Sequence, residues 1–154
     1  MDIDFKLSTE PVELAGPVRP LIVAPDATVG EVFNLLQCHK IGCVLICEDN
    51  ILKGIFTERD ALRLMHRGID PDQPIEDVMV EDPICIRPGS SIGSAILRMS
   101  SGGYRRLPIV DTAGRVTGLL QVSGVVHYLV EHIPQTIYNL PPVAHPAMNE
   151  RDGA

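Results

Sequence analysis

Residues 20–36 read PLIVAPDATVGEVFNLL, and residues 83–99 read PICIRPGSSIGSAILRM. The two stretches share the pattern Pro-apolar-x-apolar-x-Pro-x-x-Ser/Thr-apolar-Gly at a constant offset of 63 residues. The same offset places VLICED (44–49) over LPIVDT (107–112). Self-similarity of this kind indicates two copies of one structural unit.

Each copy of this repeat predicts the element order β-α-β-β-α. After Thr28, apolar residues recur at helical spacing, and Thr28 with Glu31 fits a capping box. Continuous apolar runs predict strands that are buried on both faces. The predicted elements, first copy before second, are strands 21–23 and 84–86, helices from Thr28 and Ser91, strands 43–47 and 107–110, strands 52–56 and 116–122, and helices 58–66 and 123–132.

The repeat predicts an α/β (α+β) fold class, with two β-α-β-β-α units packed about a pseudo-twofold axis. Neither unit, at about 50 residues, would bury a large core alone, so each sheet should be covered by helices on one side and by the other repeat on the other. The prolines and glycine of GIDPDQP (68–74) predict a linker, followed by a short helical turn at 75–79. The predicted segments are an N-terminal arm (1–17), the first repeat (18–67), a linker (68–77), the second repeat (78–132) and a proline-rich C-terminal tail (133–154).

Composition narrows the classes of partner. The formal net charge is −7, whereas phosphate backbones and anionic membranes attract basic surfaces, so neither nucleic acid nor a membrane is an expected partner. No stretch approaches the roughly 20 apolar residues of a membrane span. The sequence MDIDFKLSTEPVELAG carries acids where a secretory signal has a basic region and an apolar core, so the expected location is the cytoplasm.

The spacing of cysteines and histidines predicts no metal site. The cysteines, Cys38, Cys43, Cys47 and Cys85, do not form the paired CxxC pattern of zinc sites, and core packing is their expected role. The histidines, His39, His66, His127, His132 and His145, show no ligand spacing either. A nucleophile elbow, a zinc-protease motif and a P-loop are all absent from the sequence, so no enzymatic activity is expected.

The doubled pattern resembles the tandem cystathionine-β-synthase (CBS) domain pair. The segments that carry the resemblance are VMVEDPICIRPGSSIGSAILRM (78–99), RRLPIVDTAGRVTGLL (105–120) and GIFTERDAL (54–62), and it covers about residues 18–132. The resemblance implies a non-enzymatic regulatory module that binds an adenosine-containing ligand, most often AMP or ATP, between the two repeats. Separately, the faces left exposed when the two repeats pack together would favour a homodimer.

The same resemblance implies one nucleotide-binding cleft. The family signature Gly-apolar-x-Thr-x-x-Asp is matched by GIFTERD, in which Asp60 would hold the ribose hydroxyls and Thr57 would face the phosphate. Arg105 and Arg106 would supply the charge that the phosphate needs. The expected nucleotide-binding residues are Ile55, Thr57, Arg59, Asp60, Ile84, Tyr104, Arg105 and Arg106, with adenine against Ile55 and the backbone near Ile84, and with Tyr104 as an additional wall.

The equivalent second cleft lacks these groups. At the positions of Thr57 and Asp60 it has Gln121 and Gly124, and where the second repeat has its arginine pair the first repeat has Gly42 and Cys43. The sequence therefore predicts one competent cleft and one degenerate cleft.

Three alternatives stay open at this point. Thr57 and Asp60 also fit a capping box, and an arginine pair is often only solvated surface charge. The chain would then be a nucleotide-free dimer that acts as a structural or interaction scaffold. In a third hypothesis the ligand is S-adenosylmethionine or NAD instead of AMP, ADP or ATP. Whether Mg²⁺ accompanies ATP is an open question. No effector domain adjoins the repeats in this sequence, so the receiver of any signal is expected to be another protein.

Overall fold

The strands of the two repeats form two sheets. The computed structural model describes residues 3–132, so the predicted tail lies outside the described residues. The elements are, in chain order, α1 (Ile3–Thr9), β1 (Ile22–Val23), α2 (Val29–Cys38), β2 (Cys43–Glu48), β3 (Ile51–Thr57), α3 (Glu58–Arg67), β4 (Val80–Glu81), α4 (Ile92–Gly102), β5 (Arg106–Val110), β6 (Val116–Gln121) and α5 (Val122–His132), with 3-10 turns at Val12–Ala15 and Ile75–Asp77. One sheet has the order β1-β2-β3-β4, and the other pairs β5 with β6.

The first repeat follows the predicted order. β1 lies parallel to β2, which is antiparallel to β3. The predicted capping box begins α2: the Glu31 amide donates to Thr28 Oγ1 at 3.2 Å, and the Thr28 amide donates to Glu31 Oε2 at 3.1 Å. The predicted α/β (α+β) fold class is confirmed by this mixture of helices and strands.

The second repeat departs from the prediction at its first strand. The predicted strand 84–86 is wrong in extent, because only Ile86 pairs with β5, as an isolated parallel bridge. In the first repeat the amide of Leu45 donates to the carbonyl of Leu21 at 2.8 Å. Pro108 occupies the position equivalent to Leu45 and has no N–H, so the corresponding rung cannot form.

Short segments that precede each repeat pack on the other repeat. The segment 73–81 precedes the second repeat, yet it places Ile75 in the core of the first and adds β4 to the edge of β3. The segment 10–18 precedes the first repeat, yet it places Val12 in the core of the second and Val18 opposite β6. We call these two segments the lead-in segments. Part of the predicted N-terminal arm is therefore core structure.

Equivalent backbone hydrogen bonds hold both lead-in segments in place. The amide of Val29, at the start of α2, donates to the carbonyl of Gln73 at 2.9 Å. The amide of Ile92, at the start of α4, donates to the carbonyl of Glu10 at 2.9 Å. Both pairs are related by the 63-residue offset of the repeat. The exchange of lead-in segments is thus part of the internal symmetry.

An apolar cluster lies between the two sheets. It consists of Leu45, Cys47, Val110 and Val116, with Leu52, Ile55 and Cys85 packed against it. The turn ends of the two hairpins are also joined, since the Leu52 amide donates to the Gly114 carbonyl at 3.0 Å and the Val116 amide to the Asn50 carbonyl at 3.3 Å. Each repeat therefore covers one face of the other, as the apolar strands predict.

Two of the four cysteines lie in the core, as expected. Cys43 and Cys47 are buried, whereas Cys38 is exposed and Cys85 is partly buried. Burial raises the pKa of the Cys43 thiol to about 11, an effect that the nearby Arg106 charge only partly offsets. Within residues 3–132, no three His, Cys, Asp or Glu side chains cluster as metal ligands. Nor does any helix in that range have the length and apolar character of a membrane span.

Candidate functional site

The corner between β3 and α3 forms a complete capping box. Thr57 is the N-cap of α3, and its Oγ1 accepts a hydrogen bond from the Asp60 amide at 3.3 Å. In return, Asp60 Oδ2 accepts from the Thr57 amide at 3.0 Å and from the Thr57 hydroxyl at 2.9 Å. The capping role that the sequence offered as an alternative is confirmed.

The capping box leaves part of Asp60 available to a ligand. Both hydrogen bonds to the carboxylate end on Oδ2, and among the residues that the structure describes no donor reaches Oδ1. The side chain is only partly buried. A carboxylate oxygen in this position can accept charge-assisted hydrogen bonds from hydroxyl groups. Capping and ribose binding are therefore compatible in this geometry.

Arg106 reaches from the second repeat to this corner of the first. A Cβ built on Gly42 would lie 3.0 Å from Arg106 Cζ and 3.1 Å from Glu58 Oε1, so both groups lie against the Gly42 backbone. The carbonyl of Gly42 accepts a hydrogen bond from the Glu58 amide at 3.1 Å. Because Glu58 is the first residue of α3, the guanidinium of Arg106 lies beside the N-terminus of that helix.

Arg106 forms no ion pair at this corner, although the Glu58 carboxylate lies near its guanidinium against the same Gly42. Its Nε is buried without an acceptor, and within residues 3–132 the only ion pair joins His127 and Glu131. An unpaired, partly buried cation is unfavourable, and the positive end of the α3 dipole is close by. An anion beside Arg106 and the start of α3 would be attracted by both, and the exposed Glu58 carboxylate would oppose it in part.

The two aliphatic members of the predicted site lie beside the cluster between the sheets. Ile55 is half-buried and packs on that cluster, as does Cys85. Ile84, which precedes Cys85, is 44% exposed. The contact of Ile55 and Ile84 with adenine stays a prediction.

Within the described residues, no hydrogen bond or ion pair joins the side chain of any remaining predicted residue to Thr57, Asp60 or Arg106. The ring of Tyr104 lies over Gly102 at the end of α4, where an added Cβ would overlap it. Arg59 and Arg105 are exposed, and the carbonyl of Arg105 accepts a hydrogen bond from the Val122 amide at 2.8 Å. The structure thus places Thr57, Asp60 and Arg106 at this corner, and the ligand-binding role of every predicted residue stays a prediction.

The equivalent corner of the second repeat is closed by the chain itself. Gln121, Ser123 and Gly124 line a depression of about 340 Å³ together with residues 14–16 of the lead-in segment. A Cβ at Gly124 would overlap the carbonyl oxygen of Ala15. No side chain, and hence no carboxylate, fits at the position equivalent to Asp60 without movement of the lead-in segment.

Two residues of the first corner were missed by sequence reasoning. From the sequence alone, Gly42 stands out only as a position without charge, and Glu58 has no expected role within GIFTERD. Comparison of the two copies could have indicated this contact. Arg105 and Arg106 in the second repeat are equivalent to the small residues Gly42 and Cys43 in the first. With φ at +77°, Gly42 adopts a left-handed conformation, and it also leaves room for the arginine.

Comparison with known proteins agrees with the doubled fold. The model of the CBS domain family matches residues 13–67 and 75–131, and each match begins at a 3-10 turn of a lead-in segment. The CBS domain-containing protein YhcV of Bacillus subtilis (strain 168) is 37% identical over 90 residues, which are 58% of this chain and 64% of YhcV. The chain thus spans slightly less than two thirds of that relative.

Two solved structures with adenosine-containing ligands share the fold. The CBS domain protein PAE2072 from Pyrobaculum aerophilum, complexed with AMP, aligns with a TM-score of 0.71 and 21% identity over 79% of this chain and 96% of its own. The CBS domain pair of protein MJ0100, in complex with 5-methylthioadenosine and S-adenosyl-L-methionine, aligns with a TM-score of 0.69 and 21% identity over 76% of this chain and 97% of its own. With two family matches that together cover most of the sequence, the chain belongs to the CBS domain family and carries two CBS domains in tandem.

Proposed function

We propose that this chain is a non-enzymatic regulatory module that binds one adenine nucleotide, AMP, ADP or ATP, in the cleft between its repeats. The observation that carries the proposal is the position of Arg106, a partly buried cation that forms no ion pair, has an unpaired Nε and lies beside the start of α3. A phosphate group would supply the missing negative charge. Asp60 would hold the ribose through Oδ1 while Oδ2 continues to cap the helix.

The ligands of related structures support an adenosyl compound. PAE2072 is complexed with AMP, and MJ0100 with 5-methylthioadenosine and S-adenosyl-L-methionine. For this chain the charge of Arg106 favours a phosphate over a sulfonium, because the sulfonium is itself positive and would be repelled. A ligand can shift the module between two states only to the extent that it binds one state more tightly than the other. Regulation of another protein would depend on that shift.

Asp60→Ala is expected to weaken nucleotide binding about tenfold to a hundredfold, because one charge-assisted hydrogen bond contributes about 1.5–3 kcal/mol. Calorimetric titration with AMP, ADP, ATP and S-adenosylmethionine, each with and without Mg²⁺, measures the change. Glu31→Ala is the matched control, since it removes the acid of the equivalent capping box in α2. Both variants should lose about 1 kcal/mol of stability, but only Asp60→Ala should lose affinity.

Two results would count against the nucleotide proposal. If the folded wild-type protein binds none of the four compounds, the module is better described as a structural or interaction scaffold. If nucleotide binds but Asp60→Ala retains the wild-type affinity, the ligand lies elsewhere than at the corner of α3.

We further propose that two copies associate through α3 and α5. α3 contributes no buried residue to the described structure, and its outer face carries Leu62 and Met65, which are 69% and 56% exposed. The outer face of α5 carries Val126 and Val130, which are 51% and 54% exposed. Apolar side chains on equivalent helices of the two repeats form a surface suited to a second copy of the chain.

Leu62→Glu is expected to convert the dimer to a monomer, because it places a charge in the centre of the apolar face. Sedimentation velocity at a series of concentrations measures the change. Leu97→Glu is the control, because Leu97 is similarly exposed, at 65%, but lies on α4, which is not one of the two proposed helices. A Leu62→Glu protein that sediments like the wild type would contradict association through α3.

A further inference from the structure

A carboxylate lies beside the guanidinium that would bind the phosphate. A Cβ built on Gly42 would lie 3.1 Å from Glu58 Oε1 and 3.0 Å from Arg106 Cζ, so the two groups face the same glycine. They form no ion pair, since among the described residues the only ion pair joins His127 and Glu131. Glu58 is exposed, so its charge acts on any charged group that enters this corner.

The charges of Arg106 and Glu58 act together at the corner. Burial raises the pKa of the Cys43 thiol to about 11, while the Arg106 charge lowers this pKa and the Glu58 charge raises it. Cys43 follows Gly42 directly in the chain. An anion beside Gly42 would therefore be attracted by Arg106 and repelled by Glu58. Salt at about 0.1 M screens such charges fully only beyond about 10 Å.

The start of α3 has few donors left for phosphate oxygens. The Glu58 amide donates to the Gly42 carbonyl at 3.1 Å, and the Thr57 amide donates to Asp60 Oδ2 at 3.0 Å. The Asp60 amide donates to Thr57 Oγ1 at 3.3 Å, and the Thr57 hydroxyl donates back to Asp60 at 2.9 Å. The Arg59 amide, at the N2 position, has no acceptor within the helix. One backbone donor and one guanidinium suit a single phosphate group.

We propose that Glu58 is a specificity-determining residue that limits the cleft to a nucleoside 5′-monophosphate, because its charge repels the additional phosphates of ADP and ATP. This inference rests on the proposed nucleotide-binding function and specifies the ligand of the same cleft. The single phosphate of AMP would be bound by Arg106 and by the Arg59 amide. ATP brings two more phosphates, and about two more negative charges, to a corner that offers a carboxylate beside its cation.

Calorimetric titration of AMP and ATP into wild-type and Glu58→Gln protein, at low ionic strength and with EDTA to remove Mg²⁺, tests the proposal. The wild type should bind AMP about tenfold more tightly than ATP, the ratio expected for two added charges near an exposed carboxylate. In Glu58→Gln both affinities should rise, that for ATP about tenfold more than that for AMP, so the preference should disappear. Salt at about 0.5 M should reduce the wild-type preference as well, because it screens the carboxylate.

Glu48→Gln is the matched control. Glu48 is an exposed glutamate on β2, the strand that begins at Cys43, but it lies at the other end, about 16 Å along the strand. The substitution changes the net charge by the same amount, and it should leave the tenfold preference for AMP unchanged. Thermal unfolding of each variant checks that the fold is retained.

The possible results separate this inference from the proposed function. A wild-type protein that binds neither nucleotide overturns both. A wild-type protein that binds ATP as tightly as AMP, or more tightly, overturns only the role of Glu58, and so does a Glu58→Gln variant that keeps the wild-type preference. If Glu58→Gln loses affinity for ATP when Mg²⁺ is present, Glu58 binds the metal ion instead of repelling the phosphates, which also overturns the proposal.

Discussion

Val12→Asp is expected to lower the free energy of unfolding by about 4 kcal/mol or more, the cost of an unpaired charge in a core. Val12 is 0% exposed and packs among the core residues of the second repeat, more than 70 residues away along the chain. Leu14→Asp is the control in the same lead-in segment, because Leu14 is 55% exposed and should lose only about 0.5 kcal/mol. Urea-induced unfolding followed by circular dichroism measures both changes.

The equivalent substitution in the other lead-in segment should behave alike. Ile75 is 0% exposed in the core of the first repeat, so Ile75→Asp should destabilise the protein as strongly as Val12→Asp. If Val12→Asp is no less stable than Leu14→Asp, residues 10–18 are not part of the second core. A loss confined to Ile75→Asp would mean that only one lead-in segment is exchanged.

Gly42→Ala is expected to weaken nucleotide binding about tenfold to a hundredfold, although residue 42 is not a proposed ligand contact. A methyl group at this position would overlap the guanidinium of Arg106 and displace it from the start of α3. Since φ at Gly42 is +77°, the substitution should also cost about 1–2 kcal/mol of stability. Calorimetric titration and urea unfolding measure the two effects separately.

A double-mutant cycle links this loss to the arginine. Arg106→Ala alone should weaken binding by a similar factor, because the phosphate loses its cation. If both substitutions act through the same contact, the combined variant should bind no more weakly than either single variant. Additive losses would show that Gly42 affects the ligand independently of Arg106.

The strongest sequence signals predicted the fold well. The offset of 63 residues, the capping box at Thr28 and the apolar strand runs placed most helices and strands correctly. These features are local, so a single sequence contains what is needed to infer them. The pairing of Thr57 with Asp60 is equally local, and its capping geometry was predictable from the T-x-x-D spacing.

The features that sequence reasoning missed depend on contacts between distant residues. Pro11-Val12-Glu13 and Pro74-Ile75-Glu76 repeat at the same offset, which could have extended the repeat to the lead-in segments. The spacing does not indicate that each segment packs on the opposite repeat, because packing on the nearer repeat would bury the same residues. The loss of strand 84–86 was predictable in principle, because a proline at position 108 excludes one rung.

The exchange of lead-in segments has a consequence for how the protein is made. Residues 10–18 are synthesised well before Ile86, Leu107 and Tyr128, which form the core that receives Val12. Contacts between residues so far apart in sequence form slowly, so the N-terminal portion must wait in an unpaired state while most of the chain is translated. The first repeat also stays open until Ile75 has been added. A cut between the repeats would deprive each half of a core residue, so the two domains are expected to fold and unfold together.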